Sequence, residues 1–418
     1  MTPSVSGQPW FEAPALRRIF ALLNAEGGEV RVVGGAVRNA LMGRDVTEVD
    51  LATTLRPEEV VARAEAVGIK TVPTGIAHGT VTLVIEGEPF EVTTLRRDVS
   101  TNGRHAEVAF GTDWQVDAQR RDLTINALYA DAEGTVIDLV DGMKDLERHV
   151  VRFIGEASER VAEDYLRILR FFRFFAWYGE GRPDADGLRA SARAKDKLST
   201  LSAERIWSEL RKLLSAEDPT RALLWMRQAG VLTAVLPESE KWGIDTIPGL
   251  IAAERAYGWN PDPLLRLAAI VPPDPERLAA MAKRLRLSKA EAAFFQAWAA
   301  SKPIADRLAE TALDRQLYVE GAVGVMARLQ LSIANLLPRA EGEADGLEKL
   351  AHLQRLLTRA KVWTKPRFPL TGADVVLAGV PSGPQVGAKL AMLEAHWLAG
   401  NFREDRTALL DRLKASLD

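Results

Sequence analysis

The spacing of apolar residues in this 418-residue chain changes near Asp141. Before that point, short apolar runs such as GEVRVVGG and TVTLVIEGEPFEVTTLR alternate with turn residues, which predicts strands joined by hairpins and short helices. From Lys144 onward apolar residues recur every three or four positions, as in VAEDYLRILRFFRFFAW and AERIWSELRKLL, which predicts helices. We therefore expect an α+β fold class, with a mixed head over residues 1–145 followed by an all-α remainder.

Length and composition limit the class of protein. A chain of 418 residues predicts two to four domains, and 47% hydrophobic with 27% charged residues is typical of a soluble globular protein. The sequence contains no cysteine, no run of eighteen apolar residues and no pattern of a signal peptide. We therefore expect a cytoplasmic protein without a disulfide framework, a thiolate metal site or a membrane partner. The five histidines are scattered, which argues against zinc chemistry.

The run from Val32 to Thr53, VVGGAVRNALMGRDVTEVDLAT, contains a candidate phosphate site. Gly34 and Gly35 lie between a predicted strand and a predicted helix, where backbone N–H groups are open to an anion. Arg38 follows about one turn into that helix and can reach the same anion. Taken by itself, this glycine–arginine pattern is a weak signal and favours a plain tight turn between a strand and a helix.

Two carboxylates in the same run favour the functional interpretation. Glu48 and Asp50 are two residues apart on the predicted strand EVDLATT, so both should point to one face. Two negative charges this close repel each other unless a cation neutralises them. Mg²⁺ prefers carboxylate oxygens together with substrate phosphates. With Gly43, the run therefore predicts a triphosphate cradle beside a magnesium site.

Glu91, in FEVTTLRRD, is a candidate third carboxylate. Phe90 and Val92 beside it should face the core, which directs Glu91 away from the core. Three carboxylates with bound metal can support the attack of a hydroxyl on an α-phosphate. The alternative is a solvated glutamate on a strand.

Six motifs occur in an order that resembles the class II tRNA nucleotidyltransferase and bacterial poly(A) polymerase family. They are GGAVRNALMG with EVDLAT, TTLRRD, GRHAEVAFGTD, RRDLTINAL, EDYLRILR and AERIWSEL. The resemblance implies a polymerase-β-like nucleotidyltransferase head, followed by a helical neck over residues 146–236, a body over 237–330 and a tail over 331–418. It implies that Glu48 and Asp50 bind metal, and that further residues line the triphosphate and ribose pocket. Those residues are Arg97, Asp98, Arg120, Arg121, Asp122 and Asn126.

Two positions depart from the family pattern. The family usually has aspartate where this chain has Asn39, and again where it has Glu48. The additional methylene of Glu48 moves its carboxylate one bond further from the backbone, so this residue is the one to test first. Asp45 cannot easily replace it, because its odd offset along an extended strand would direct it elsewhere.

The motif EDYLRILR predicts a group that recognises the base. Asp164 and Arg167 are three apart on a predicted helix and so share a face, and Arg170 is expected to bind the nucleotide with them. An aspartate accepts hydrogen bonds and an arginine donates them, so the pair matches the donor and acceptor order of cytosine and adenine, and not that of uracil or guanine. The protein-template role that the resemblance implies agrees with this chemistry. The alternative is an ordinary surface salt bridge.

Other segments carry weaker expectations. GRHAEVAFGTDWQVDAQRRD resembles the flexible loop of members that add A, which disfavours CC-only addition, and His105 is expected to be a loop residue. A stripe without acidic residues could bind RNA phosphates or could be a solvated helix face. It consists of Arg355, Arg359, Lys361, Lys365 and Arg367. A weaker basic group is Lys283, Arg284 and Arg286, and Trp207, Trp225 and Trp298 are predicted core residues.

The preferred interpretation is a CCA-adding enzyme that uses CTP, ATP and tRNA with Mg²⁺ and needs no obligatory protein partner. A poly(A) polymerase shares the head motifs, but its usual basic extension is not seen in the final DRTALLDRLKASLD. An A-adding enzyme also remains open. A non-catalytic RNA-binding protein with a decayed head would explain the two departures, and a small-molecule nucleotidyltransferase would not explain the long helical part.

Overall fold

The computed structural model describes residues 3–76, 79–102, 105–240 and 242–417, and within these ranges the side chains of 73–74, 98–102 and 105–108 are not described. The chain forms two compact units, Met1–Pro237 and Glu238–Asp418. The first contains both sheets and the second is helical. The expected mixed head followed by a helical remainder is therefore confirmed.

The main sheet of the first unit has seven strands in the order β3-β4-β5-β2-β1-β8-β9. All neighbours in it are antiparallel except β2 and β5, which run parallel. The strands are β1 (Val30–Val33), β2 (Asp50–Thr53), β3 (Lys70–Gly75), β4 (Thr80–Ile85), β5 (Glu88–Thr94), β8 (Leu128–Ala130) and β9 (Val136–Asp138). A separate hairpin pairs β6 (Arg96–Asn102) with β7 (His105–Phe110).

The hairpin of β4 and β5 illustrates how local sequence produces this sheet. Glu86 and Gly87 both have positive φ, 55° and 89°, as a two-residue hairpin turn with the right twist requires. Alternate residues of β4 are buried, so one face packs on the core. The predicted hairpin around Glu-Gly is confirmed.

Helices of the first unit cover the sheet and continue beyond it. They are α1 (Pro14–Leu23), α2 (Gly35–Leu41), α3 (Pro57–Ala66), α4 (Trp114–Arg120), α5 (Gly142–Glu147), α6 (Ala157–Glu163), α7 (Leu166–Tyr178), α8 (Ala185–Ala194), α9 (Ala203–Leu214), α10 (Thr220–Gln228) and α11 (Val231–Val235). Helix α7 buries Ile168, Leu169, Phe171, Phe172 and Phe175 on one side, while the buried Phe174 lies on the cavity side. Its arginines at 167, 170 and 173 recur every three residues, so they lie along the opposite side.

Three local predictions were wrong. Strand β2 begins at Asp50, and Glu48 precedes it, because the neighbouring strand β1 ends at Val33, the register partner of Asp50. Asp164 is not helical: it lies between α6 and α7 in extended conformation, where its side chain accepts a hydrogen bond from the Leu166 N–H at 3.1 Å. The stretch around His105 is a hairpin strand followed by α4, so His105 begins β7. Strand pairing with β6 supplies the hydrogen bonds that a loop would lack.

The second unit consists of α12 (Thr246–Tyr257), α13 (Pro263–Ala268), α14 (Pro275–Arg284), α15 (Lys289–Ala300), α16 (Glu310–Glu320), α17 (Ala322–Leu336), α18 (Gly346–Val362), α19 (Gly372–Leu377), α20 (Pro384–Ala399) and α21 (Arg406–Ala415). Trp298 in this unit is buried, as is Trp207 in the first, while Trp225 is only half-buried and so is not a full core residue. Within the described residues, no helix is long and apolar enough to span a membrane.

Candidate active site

A cavity of about 640 Å³ in the first unit collects most of the predicted site residues. It lies where the ends of β1, β2 and β5 meet α2, α4, α7 and α9. The predicted residues that line it are Gly34, Gly35, Arg38, Glu48, Asp50, Glu91, Arg120, Arg121, Asp122, Asn126, Asp164, Arg167 and Arg170. Arg173, Phe174 and Arg205 line it as well.

Carboxylates occupy the sheet end of this cavity. Asp50 and Glu91 are direct register partners on the parallel strands β2 and β5, so both project from the same face of the sheet. Desolvation first, and then the negative charges of Glu91 and Glu48, raise the pKa of Asp50. Among the described residues, no group of three acidic or histidine side chains is already gathered at metal-ligand distance. The cavity thus holds concentrated negative charge that a cation would relieve.

The glycine pair forms the turn between β1 and α2. Gly34 has φ 74°, which a residue with a Cβ rarely adopts, and a Cβ there would lie 3.3 Å from the Asn126 carbonyl oxygen. Its N–H donates to the Leu128 carbonyl at 2.9 Å and is therefore not free for an anion. The expectation that both glycine amides face phosphate was wrong for Gly34, and Gly35 is the first amide of α2.

Arg38 is a buried cation surrounded by neutral partners. It is 6% exposed, and its guanidinium donates to the side-chain oxygens of Asn126 and Asn39 and to the Tyr178 hydroxyl. In the described part of the chain no carboxylate forms an ion pair with it; burial lowers its pKa, and the more distant charge of Asp122 opposes this only in part. A charge buried without a counterion is costly, so Arg38 is set to receive an anion in the cavity.

Arg120 and Arg121 are held by Asp117, a side chain that is 1% exposed. Arg120 Nη2 lies 2.5 Å from one carboxylate oxygen, and Arg121 Nη2 and the Tyr129 hydroxyl lie 3.0 and 2.8 Å from the other. Burial would raise the pKa of Asp117, but the charges of Arg121 and Arg120 outweigh burial and lower it. Two cations share one anion, which leaves net positive charge beside the carboxylates.

Asp122 joins the sheet part of the unit to helix α7. Its Oδ2 accepts from Arg170 Nε at 2.6 Å, and its Oδ1 accepts from the Asn126 side chain at 3.3 Å. Burial alone would raise the pKa of Asp122, but Arg170 outweighs it and lowers that pKa to about 2. Arg173, one turn on, is paired at 2.5 Å with the buried Glu209 of α9.

Asp164 and Arg167 both line the cavity but do not pair with each other through their side chains. Asp164 Oδ2 lies 2.6 Å from Arg205 Nη2, and Arg167 donates to Glu163 and to the Arg160 carbonyl. The expected alternative of a direct salt bridge between these two residues is therefore wrong, because the Asp164 carboxylate accepts from the Leu166 N–H and from Arg205 of α9. Each side chain is fixed by a different neighbour.

Other predicted site residues lie elsewhere. Arg97 is exposed on β6 and is not part of the cavity lining, and the side chain of Asp98 lies outside the described residues. The basic stripe is not one helical face, since Arg355, Arg359 and Lys361 lie on α18 but Lys365 and Arg367 follow its end. Arg359 is already paired with Asp314 at 2.5 Å and with Glu310 at 3.1 Å. In the weaker basic group, Arg284 is paired with Glu238 at 2.6 Å.

Sequence reasoning missed Asp117, Arg173, Arg205 and Tyr178. Asp117 precedes Arg120 and Arg121 by three and four residues, a helical spacing that could have identified it. Arg173 continues the three-residue spacing of Arg167 and Arg170. The contact of Tyr178 with Arg38 joins positions 140 residues apart, and the sequence carries no sign of it.

Two family models match the chain. The model described as the poly A polymerase head domain covers residues 30–152. A second, described as the probable RNA and SrmB-binding site of polymerase A, covers residues 184–242.

Similarity to individual proteins extends over nearly the whole chain. It is 34% identical to the CCA tRNA nucleotidyltransferase 1, mitochondrial, of Mus musculus, over 96% of this chain and 89% of that protein. It is 31% identical to the CCA-adding enzyme of Levilactobacillus brevis, over 94% and 96% of the two chains. The crystal structure of the Bacillus stearothermophilus CCA-adding enzyme in complex with CTP superposes with a TM-score of 0.72 at 27% identity, covering 96% of each chain. The chain therefore belongs to the CCA tRNA nucleotidyltransferase family.

Proposed function

We propose that this protein adds C, C and A to the 3′ end of tRNA from CTP and ATP. The observation that carries the proposal is the charge pattern of the cavity, which is lined both by the carboxylates Asp50 and Glu91 and by Arg38, a buried cation that forms no ion pair with any described carboxylate. A nucleoside triphosphate supplies the anion that Arg38 lacks. Asp164 and Arg167 on the same cavity supply groups that can distinguish bases.

The triphosphate is assigned to the arginine side of the cavity. Arg38, Arg120 and Arg121 are fixed by neutral groups or by one shared carboxylate, so their donors are already oriented before the nucleotide binds. Asp122 and Asn126, which contact each other, are assigned to the ribose and to the support of Arg170 and Arg38. Because these arginine side chains are already fixed, they lose little conformational entropy when the nucleotide binds.

Nucleotidyltransferases of this family generally need a divalent metal, and we assign Mg²⁺ to Glu48, Asp50 and Glu91. The raised pKa of Asp50 among two other carboxylates fits a cation site, because a divalent ion would remove the repulsion. When bound, Mg²⁺ stabilises phosphate charge and lowers the pKa of the attacking hydroxyl. Glu48 reaches this group from the segment before β2, and its longer side chain suits a position off the strand.

The reaction forms one P–O bond and breaks another. The oxygen of the tRNA 3′ hydroxyl attacks the α-phosphorus, its proton leaves, and the bond from the α-phosphorus to the bridging oxygen of the β-phosphate breaks, releasing pyrophosphate. The arginines contribute by holding the negative charge that accumulates on the leaving pyrophosphate.

Base choice is assigned to Asp164 and Arg167. Arg205 holds the aspartate and Glu163 holds the arginine, so the pair offers an acceptor and a donor at fixed positions. A base with the opposite order of groups would leave them unpaired.

Three further expectations stay predictions. The head, neck, body and tail are assigned to residues 1–145, 146–236, 237–330 and 331–418. The basic residues of α18 and the segment after it are assigned to tRNA phosphates, with Arg359 contributing least. The location is expected to be cytoplasmic, although the mouse relative is named mitochondrial.

An incorporation assay tests the proposal. The protein is incubated with tRNA transcripts that end before CCA, after C and after CC, with CTP, ATP or both, and Mg²⁺. We expect complete CCA on each transcript and then a stop. Long A tails would favour a poly(A) polymerase, A-only addition an A-adding enzyme, and no incorporation a non-catalytic RNA-binding protein.

A further inference from the structure

Tyr178, the last residue of helix α7, contacts Arg38 in two ways, and Phe174 of the same helix also lies beside the guanidinium. Arg38 Nη2 donates to the Tyr178 hydroxyl at 2.8 Å, and the guanidinium carbon lies 4.1 Å from the centroid of the tyrosine ring. The phenol thus contacts the same cation through its oxygen and through its π face. These two contacts fix both the plane and the direction of the guanidinium.

Asn39 completes this arrangement. Its side-chain oxygen accepts from Arg38 Nη2 at 3.0 Å and from the Tyr178 hydroxyl at 3.1 Å. Its amide nitrogen donates to the Asp45 carbonyl at 3.1 Å, in the segment that leads to Glu48. An aspartate at position 39 could not make this last bond, because both of its oxygens are acceptors.

The presence of Asn39, where the family usually has aspartate, therefore has a physical consequence in this chain. A carboxylate at position 39 would neutralise Arg38, whereas the amide orients the cation without cancelling its charge. Three neutral acceptors then orient the guanidinium, namely Asn39, Asn126 and Tyr178, and Tyr178 is the only hydroxyl group that contacts it among the described residues.

We propose that Tyr178, acting with Asn39, is a positioning residue that holds Arg38 in the triphosphate site. The inference rests on the proposed function, since it assumes that Arg38 binds the triphosphate. The tyrosine touches neither substrate nor reacting atoms in this assignment, and acts through the arginine.

Tyr178→Phe tests the proposal, because it keeps the ring and removes the hydroxyl. We expect KM for both CTP and ATP to rise about 3- to 10-fold, the value of one hydrogen bond, with kcat and KM for tRNA changed less than about 2-fold. Tyr257→Phe, which removes the same atom from a tyrosine of the second unit, is the matched control and should leave all constants unchanged. An unchanged nucleotide KM in Tyr178→Phe overturns the proposal.

A double-mutant cycle with Arg38→Lys separates positioning from a general structural role. Lysine cannot reproduce the planar donor set, so Arg38→Lys should itself raise nucleotide KM, and Tyr178→Phe should add nothing in that background. Effects that multiply instead would show that Tyr178 acts independently of Arg38 and would overturn the inference. If Arg38→Lys leaves nucleotide KM unchanged, the assigned triphosphate role of Arg38 has failed, which is a different result from failure of Tyr178→Phe alone.

Discussion

The carboxylates beside the arginines set the chemistry at the scale of single residues. Asp50 and Glu91 face the same side as register partners, while Glu48 approaches from outside the strand. Burial first, and then repulsion from Glu91 and Glu48, raises the pKa of Asp50. Carboxylates that repel one another at close range are unfavourable for stability, so their grouping here indicates a functional role.

We predict that Asp50→Asn and Glu48→Gln each lower incorporation at least about 100-fold, because each removes one carboxylate ligand worth several kcal/mol to the transition state. Binding of tRNA should be unaffected, as measured by filter binding. Glu88→Gln, at the start of the same strand as Glu91, is the control and should stay close to wild type. Retained activity in Glu48→Gln would remove that residue from the metal assignment.

The base-selecting pair leads to a second prediction. Arg167→Ala should reduce the preference for CTP and ATP over UTP and GTP by about 10-fold, because a wrong base no longer meets a fixed donor. The melting temperature should change little, since Glu163 keeps its contact with Arg160. Single-nucleotide incorporation with each of the four triphosphates measures the effect, with Arg189→Ala on the exposed face of α8 as control. Unchanged selectivity would contradict templating by this residue.

At the scale of elements, the sequence pattern correctly predicted those strands, turns and helices that depend on interactions between residues close in sequence. The β4–β5 hairpin follows from Glu86-Gly87 and alternating burial, and α2 follows from the glycine turn. Glu48 was expected on the strand, but β2 begins at Asp50, opposite the last residue of β1, although its other neighbour β5 extends back to Glu88. Asp164 was misplaced because a side-chain cap competes with helix continuation.

The sequence predicted which residues line the candidate site, but it predicted few of the contacts that hold their side chains in place. Most of the site's residues were identified from the motifs, and helical spacing could have identified Asp117 as the partner of Arg120 and Arg121, but the partners distant in sequence could not be identified. Asp164 pairs with Arg205, and Arg38 pairs with Tyr178, through contacts between segments that are 41 and 140 residues apart in sequence. Such contacts depend on three-dimensional packing, which periodicity does not encode.

The link between Asp122 and α7 predicts a pH dependence of stability. The pKa of Asp122 is lowered to about 2, so its ion pair with Arg170 stabilises the fold above the ordinary value near 3.8 and is lost as pH falls through about 2. Asp122→Asn should therefore cost about 2 kcal/mol at neutral pH, and the difference from wild type should shrink below about pH 4.

Urea unfolding of both proteins between pH 3 and 7 measures this difference. Asp186→Asn removes an exposed carboxylate that pairs with Arg189, and it should show a small gap at every pH. A gap for Asp122→Asn that stays constant down to pH 3 would mean that the ion pair is not the source of the stabilisation.

At the scale of the whole molecule, the assigned tRNA contacts lie in the second unit, and their charges are not equivalent. Lys365 and Arg367 are exposed after α18, whereas Arg359 is held by Asp314 and Glu310. A cation that already has two carboxylate partners gains little from a phosphate, because the phosphate must displace them. The sequence stripe therefore overstates the number of phosphate contacts.

Salt dependence of tRNA binding tests this distinction. The slope of log K against log salt falls by roughly 0.7–0.9 for each phosphate contact removed. Lys365→Ala and Arg367→Ala should each lower the slope by about that amount, whereas Arg359→Ala should leave it nearly unchanged while lowering the free energy of unfolding. Because all three substitutions remove one positive charge, any difference in slope reports contact with phosphate and not net charge. Wild-type slopes in Lys365→Ala and Arg367→Ala would mean that neither side chain binds a tRNA phosphate, and a slope lowered equally in Arg359→Ala would contradict the distinction drawn for Arg359.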